Sequence, residues 1–314
     1  MELDKPIQPM EPIKTDKLPT NEKWVYQIKW DGIRIITFYD GHKLYFHTKK
    51  GFQRSSQYPE LSKLHKFVNN DKWVLDGEVI VQTDEKEGGD FYNILKRDRT
   101  KKPSKDLLKN LSIRYKIFDL LYLHDSWLTN QNWHERMTIL SNLLTSNDLY
   151  HPVKYTAKGK ELFEYTKEHN LEGVIAKNMF SKYVPGKDHN SWYKIKHSET
   201  INAVLGGVVM NGNNIKSLLL GKQKDNTLLY IGRASTGLSQ KELNELSKYA
   251  RKNHITSSPF SDYPNNRPYN ELFSKGSKNS QIFYLPPKLT VKVKFSEWTS
   301  DYTLRHPVVL GFVV

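Results

Sequence analysis

The sequence predicts an α+β domain over residues 1–198, built of antiparallel sheets with helices, followed by an all-β barrel domain over residues 199–314. Three observations carry this. Runs of alternating apolar and polar residues near the start are separated by Asp-Gly pairs, the pattern of strands joined by tight turns. Two later stretches place apolar residues at helical spacing. After His197 the texture changes to short β-like runs with Gly and Asn turns and a single helix, which suits a small barrel. A chain of 314 residues is also long for one core and suits two.

Taken in order, residues 1–20 read as an extended arm punctuated by prolines. Trp24–Trp30, Ile33–Tyr39 and Lys43–Thr48 alternate as strands, with hairpin signals at Asp31-Gly32 and Asp40-Gly41. Tyr58–Val68 has helical spacing, and Lys72–Val81 reads as a strand with Asp76-Gly77 inside it. Thr83–Asp90 is an acidic loop, Ile113–Phe118 a strand, and Trp133–Leu144 and Lys158–His169 amphipathic helices. Gly173–Lys177 and Ser191–Lys196 are short strands. The second domain begins near Ser198. It holds strands at Ala203–Met210, Ile215–Leu220 and Leu228–Arg233, a helix at Gln240–Arg251, a long polar loop over 253–280, and closing strands at Thr290–Phe295 and Pro307–Val314.

Composition narrows the function classes. Forty-eight Lys and Arg face 34 Asp and Glu, a net charge of +14 spread over both halves. Such a balance suits a polyanionic partner, and an ordinary basic protein fits the charge equally well. The absence of cysteine excludes disulfides, a thiol nucleophile and Cys-ligated zinc or iron–sulfur sites. No apolar run approaches the ~18–20 residues of a membrane span, and the N-terminus lacks a signal-peptide core. The expectation is a soluble, cytoplasmic monomer with no membrane association.

Five short motifs can carry chemistry. In Lys29-Trp30-Asp31-Gly32-Ile33-Arg34, a lysine between two strands becomes a nucleophile if burial or neighbouring cations depress its pKa. Asp31 can orient that amine or help take its proton. In Asp76-Gly77-Glu78, a carboxylate within an apolar strand is costly to bury unpaired, so Glu78 faces either water or a cleft. In Tyr115-Lys116-Ile117-Phe118-Asp119, Phe118 is either plain core or a surface on which a base stacks. Glu172-Gly173-Val174-Ile175-Ala176-Lys177 pairs a carboxylate suited to an oxygen-ligated metal with a phosphate-binding cation. In Trp192-Tyr193-Lys194-Ile195-Lys196, the strand period puts Lys194 and Lys196 on one face, as a solvated edge or as an anion site. Each motif alone suits a structural role. Their joint order and spacing form a specific series.

That series resembles the covalent nucleotidyltransferase superfamily, which holds ATP-dependent DNA ligases, RNA ligases and mRNA capping enzymes. The resemblance covers nearly the whole chain. Leu205-Gly206-Gly207-Val208, Ile231-Gly232-Arg233, Phe295-Ser296-Glu297-Trp298-Thr299 and Leu304-Arg305-His306-Pro307 look like an OB-fold domain, most similar to the ligase module of bacterial end-joining DNA ligases. The fold implied is a nucleotidyltransferase domain with ATP-grasp-like antiparallel sheets, then an OB-fold barrel. The implied activity is sealing of 5′-phosphate/3′-hydroxyl nicks in duplex DNA, with ATP and Mg²⁺ or Mn²⁺. The resemblance makes Lys29 the nucleophile that forms a lysyl-AMP. Arg34 would touch the ribose or a DNA-end phosphate, Glu78 the ribose or metal, and Phe118 the adenine. Glu172 would hold the metal. Lys177, Lys194 and Lys196 would contact phosphates, and Arg305 would act on the triphosphate step. One pocket would serve every step if the OB domain swings between ATP and DNA.

Two departures from the family pattern stand out. Where the family has an arginine, one residue and a glycine, this chain has Thr48-Lys49-Lys50-Gly51, so Lys49 inherits the phosphate role without a bidentate fork. The family's Asp-Lys pair after the last strand is replaced by Gly311-Phe312-Val313-Val314, which bears on the efficiency of self-adenylation. Without polymerase or phosphoesterase segments, the expectation is a stand-alone bacterial, phage or plasmid-borne repair ligase, with a Ku-like protein as a partner by analogy. The alternatives are an RNA-end ligase or capping-type guanylyltransferase, and a non-catalytic nucleic-acid-binding protein. An NAD-dependent ligase is disfavoured by the lack of a Cys-based zinc module.

Overall fold

The computed structural model describes residues 6–70, 72–83, 88–261, 280–299 and 301–313. Residues 84–87 of the expected acidic loop and 262–279 of the expected long loop lie outside the described residues. The chain divides into two compact units, Met1–His197 and Ser198–Val314. Among the described residues no helix is long and apolar enough to cross a membrane.

The strands of the first unit are β1 (Glu11–Lys14), β2 (Trp24–Ile28), β3 (Ile33–Tyr39), β4 (Leu44–Thr48), β5 (Trp73–Val81), β6 (Ile113–Leu123), β7 (Ser126–Trp127), β8 (Tyr150–Pro152), β9 (Gly173–Asn178) and β10 (Asp188–Lys196). Its α-helices are α1 (Phe91–Arg99), α2 (Lys105–Asn110), α3 (Trp133–Leu143) and α4 (Gly159–Glu168). The strands form two sheets. One has the order β4-β3-β5-β6-β7, with β8 also paired to β6; the other is β1-β10-β9-β2. The sheets are not wholly antiparallel as expected, because β8 runs parallel to β6 and β1 parallel to β10. The expected N-terminal arm is thus partly a strand.

The alternation of side chains explains how each sheet is used. On β9, Val174 and Ala176 join Trp24, Tyr26 and Ile195 in a cluster against Leu162 and Phe163 of α4. Ile175 and Lys177 therefore face the other way, as period 2 requires. The larger core contains Ile35, Val74, Leu75, Ile117 and Leu120 from the six-stranded sheet, Trp133 and Leu140 from α3, and Trp192 from β10. Pro59–Lys66 is a 3-10 helix rather than an α-helix, burying Leu61 and Leu64.

The Asp31-Gly32 hairpin is a correction. Strand β2 pairs with β9, whereas β3 pairs with β4 and β5, so Lys29–Gly32 crosses from one sheet to the other. Gly32 serves packing, not turning: a Cβ there would lie 2.3 Å from the Val79 carbonyl oxygen. The Asp40-Gly41 hairpin does form, with Gly41 at φ 95°.

The second unit holds β11 (Glu199–Asn211), β12 (Asn214–Lys224), β13 (Thr227–Ala234), α5 (Gln240–Asn253), β14 (Ser280–Tyr284), β15 (Thr290–Phe295) and β16 (Val308–Val313). Its antiparallel sheet has the order β13-β12-β11-β15-β16, and β14 adds to β11. The first part of β11 pairs with β15 and its last part with β14, so one strand serves two neighbours. Leu246 and Ala250 of α5 pack into a core with Leu205, Val208, Leu220 and Val293. This antiparallel strand domain is of the OB type.

A buried ion pair locks β6 to α3. Arg136 Nε and Nη2 donate to the two Asp119 oxygens at 2.7 and 2.9 Å, and neither side chain is exposed. Arg136→Ala leaves a buried carboxylate unpaired and is expected to cost about 3–5 kcal/mol. Asp119→Leu combined with Arg136→Met should recover most of that loss in urea unfolding.

Candidate active site

Between the two sheets lies a cavity of about 640 Å³, within the usual range for a small-molecule site. Its lining includes Lys29, Arg34, Lys49, Glu78, Phe118, Lys177, Lys194 and Lys196. Eight of the sequence-nominated residues thus meet in one place. Asp31 does not line it; its backbone N–H donates to the Gly88 carbonyl at 3.1 Å. Arg305 belongs to the second unit, where it pairs with Glu297.

Lys29 lies just past the end of β2, Glu172 just before β9, and Lys196 at the end of β10. Backbone pairing brings these ends together: the Lys29 N–H donates to the Gly173 carbonyl at 2.9 Å, and Gly173 is opposite Lys196. Gly173 has φ 141°, and a Cβ would meet the Ile195 carbonyl oxygen at 2.1 Å, so the approach demands glycine. The result is a bridged carboxylate. Lys29 Nζ pairs with one Glu172 oxygen and Lys196 Nζ with the other. Burial pushes the Glu172 carboxyl up, but the two ammonium groups outweigh it and hold it below its ordinary value.

The opposite wall comes from β3, β5 and β6. Arg34 forks onto Asp76 with Nε and Nη2 at 2.9 and 2.6 Å, and Tyr183 donates to the same carboxylate at 2.7 Å. This arginine is therefore a wall element whose charge is balanced within the protein. Its guanidinium carbon lies 5.2 Å from the Phe118 ring centroid. The ladder between β5 and β6 slips here: Gly77 is opposite Ile117 while Asp76 is opposite Asp119. Phe118 is the extra residue of that bulge, which aims it into the cavity while Asp119 goes to Arg136. Glu78 is half-buried in the same wall. Burial pushes its carboxyl up to about 7, against the lowering effects of Lys29 and Arg34.

Lys177 is 2% exposed. Its ammonium lies 3.9 Å from the Trp192 ring centroid, 4.5 Å from Phe118 and 5.4 Å from Trp133, and donates to the Phe118 carbonyl at 3.1 Å. Burial brings it down to about 7, although Asp119 and Asp76 pull the other way. Lys194 is also held below its ordinary value, by burial first and by the nearby Lys29 and Lys196, despite Glu11 and Asp188. Lys49 is exposed, with Nζ 3.0 and 3.1 Å from the Glu11 oxygens.

Sequence reasoning missed Trp192 as a cavity residue, and missed Arg54 and Asp98. Trp192 shares the strand face of Lys194 and Lys196, and the period-2 rule used for the lysines reaches it too. Arg54 and Asp98 come from an irregular segment and a polar helix, so no periodicity marks them. Among the described residues no group of three or more His, Asp or Glu side chains could enclose a metal by itself.

The Lys177 environment gives a pH test. An unfolded lysine keeps its proton to about 10.4, so between pH 7 and about 10 the unfolded chain binds more protons than the folded one. This group therefore makes the fold gain stability as pH rises through that window, and its cost is fully present below pH 7. Lys177→Met should be more stable than wild type by roughly 1–4 kcal/mol at pH 7 or below. The gap should close towards pH 10 in denaturant melts.

Comparison with known proteins gives the family. Residues 8–196 match the family model for the ATP dependent DNA ligase domain, and residues 211–312 match the ATP dependent DNA ligase C terminal region. The multifunctional non-homologous end joining DNA repair protein LigD of Mycobacterium tuberculosis is 31% identical over 288 residues, covering 90% of this chain but 35% of that protein. The SPbeta prophage-derived DNA ligase-like protein LigB of Bacillus subtilis is 30% identical over 211 residues, 65% of this chain and 72% of that protein. The solved ligase domain of M. tuberculosis LigD superimposes with a TM-score of 0.53 at 28% identity, covering 98% of this chain and 95% of that one. A Lig E DNA ligase structure shares the fold at 16% identity, with a TM-score of 0.61 and coverage of 97% and 100%. The chain belongs to the family of ATP-dependent DNA ligases.

Proposed function

We propose that this ligase seals nicks in duplex DNA through a lysyl-AMP on Lys29, and that it acts in end joining. The observation that carries the residue assignment is the Lys29 amine seated against Glu172, in a cavity also lined by Phe118, Lys177, Lys194 and Lys196. The end-joining reading rests on the name of the LigD relative, of which this chain spans about a third. A Ku-like end-binding partner is part of that reading.

In this scheme Lys29, once neutral, attacks the α-phosphorus of ATP; the bond to the bridging oxygen breaks and pyrophosphate leaves. Glu172 accepts the hydrogen bond of the Lys29 amine and so holds it at the cavity wall. Lys194 and Lys196 carry positive charge towards the phosphate oxygens as negative charge builds there. Phe118 stacks on adenine, and the Arg34 guanidinium packs against its ring. Lys177, under the Phe118 ring, answers phosphate charge from within the wall. The AMP then passes to a 5′-phosphate, and the 3′-hydroxyl displaces it. Lys49 meets a strand phosphate at the rim. Asp31 keeps its assigned role only through the backbone that carries Lys29, and Arg305 is assigned to the triphosphate step.

A divalent cation of the Mg²⁺ or Mn²⁺ class belongs to this reading. The donor set fits: Glu78 and Glu172 are oxygen ligands, and such ions take one or two carboxylates together with substrate phosphates and water. The half-buried Glu78 carboxyl, held up at about 7, is a group whose charged form a cation would stabilise. When bound, the ion offsets negative charge on the phosphate oxygens.

The test uses α-labelled ATP or GTP, followed by a chase with nicked duplex. Label should come from ATP and be discharged into a sealed product. Lys29→Ala should reduce labelling by at least about 10³-fold, yet still seal a pre-adenylated nick. Labelling from GTP, or discharge only onto RNA, would overturn the assignment.

A further inference from the structure

We propose that Arg54 grips a phosphate at this cavity with the two-pronged geometry that Lys49 lacks. This rests on the ligase reading above for the identity of the polyanion. Arg54 follows the Thr48–Gly51 turn and lines the cavity, with 20% of its side chain exposed. Nε and Nη2 fork onto Asp98 at 2.6 and 3.1 Å, and Nη1 donates to the Gln53 carbonyl at 3.0 Å. Tyr58 donates to the same Asp98 oxygen at 3.0 Å, so the carboxylate is itself held in place.

The arithmetic of donors makes the case. A guanidinium has five N–H groups. Three are committed here, which leaves one on each terminal nitrogen. That pair suits two oxygens of a phosphate, and the Asp98 fork fixes the plane in advance. The other cations differ. Arg34 spends its fork on Asp76 beneath Phe118 and is 11% exposed. Lys49 is a flexible point charge turned to Glu11. Among these cavity cations, Arg54 is the one both rigidly oriented by the protein and left with outward capacity.

The phosphate can belong to the nucleic-acid strand or to the nucleotide, and separate arms tell these apart. Arg54→Gln, Arg54→Lys and Asp98→Asn are compared with wild type in three assays: labelling from ATP, sealing of a pre-adenylated nick, and the salt dependence of binding to nicked duplex. For a strand phosphate, Arg54→Gln labels within about twofold of wild type and seals roughly 10- to 100-fold more slowly. Its slope of log K against log salt shrinks by about 0.9. Arg54→Lys, which keeps the charge, retains the slope but not the rate. Asp98→Asn, which keeps the charge of the arginine but weakens the fork that orients it, retains the slope and seals at a rate between those of wild type and Arg54→Gln. A loss confined to labelling assigns the phosphate to the nucleotide. Unchanged labelling, sealing and slope in Arg54→Gln would overturn the proposal, as would a loss of slope in Asp98→Asn equal to that of Arg54→Gln, since Asp98→Asn keeps the cation and Arg54 would then only support the fold. The binding slope is read without any chemistry, so a wild-type protein that takes no label would sink the lysyl-AMP assignment and still leave Arg54 tested.

Discussion

The carboxylate of Glu172, shared by the amines of Lys29 and Lys196, is the interaction around which the first unit is organised. Three strand ends meet there, and each contributes one charge. Two ammonium groups alone would repel, and a lone half-buried carboxylate would be costly. Together they leave one net positive charge where the three strand ends meet. The glycine beside Glu172 is the geometric condition, because only a residue without Cβ brings β9 so close to the end of β10.

The same principle governs the opposite wall. Asp76 and Asp119 are fully buried, and each is answered by a forked arginine. Lys177 is the exception: it lies next to rings and a carbonyl, with no carboxylate in direct contact among the described residues. Such a buried charge weakens the fold, and a phosphate would offset that cost if Lys177 has the role proposed for it.

Much of this was legible in the sequence, for physical reasons. Period 2 put Lys194 and Lys196 on one face, and the order of motifs brought Glu78, Phe118 and Lys177 to the same cavity. What escaped was set by contacts distant in sequence. The Asp31-Gly32 pair looks like a hairpin turn, but its glycine answers the Val79 carbonyl across a sheet boundary. The helices α1 and α2 are short and polar, and their signals are the caps Asp90 and Ser104 rather than apolar spacing. Strand β14 follows a long polar stretch and is specified by its pairing with β11. The bulge that turns Phe118 inward leaves no mark in local sequence at all.

The crossing at Lys29–Gly32 has a mechanical meaning. Lys29, the proposed nucleophile, is mounted on the peptide that joins one wall of the cavity to the other. Any hinge-like opening of the sheets must drag on that short tether, and any strain on the tether is felt at the amine. On that assignment the reactive amine is tied to the spacing of the two sheets it stands between.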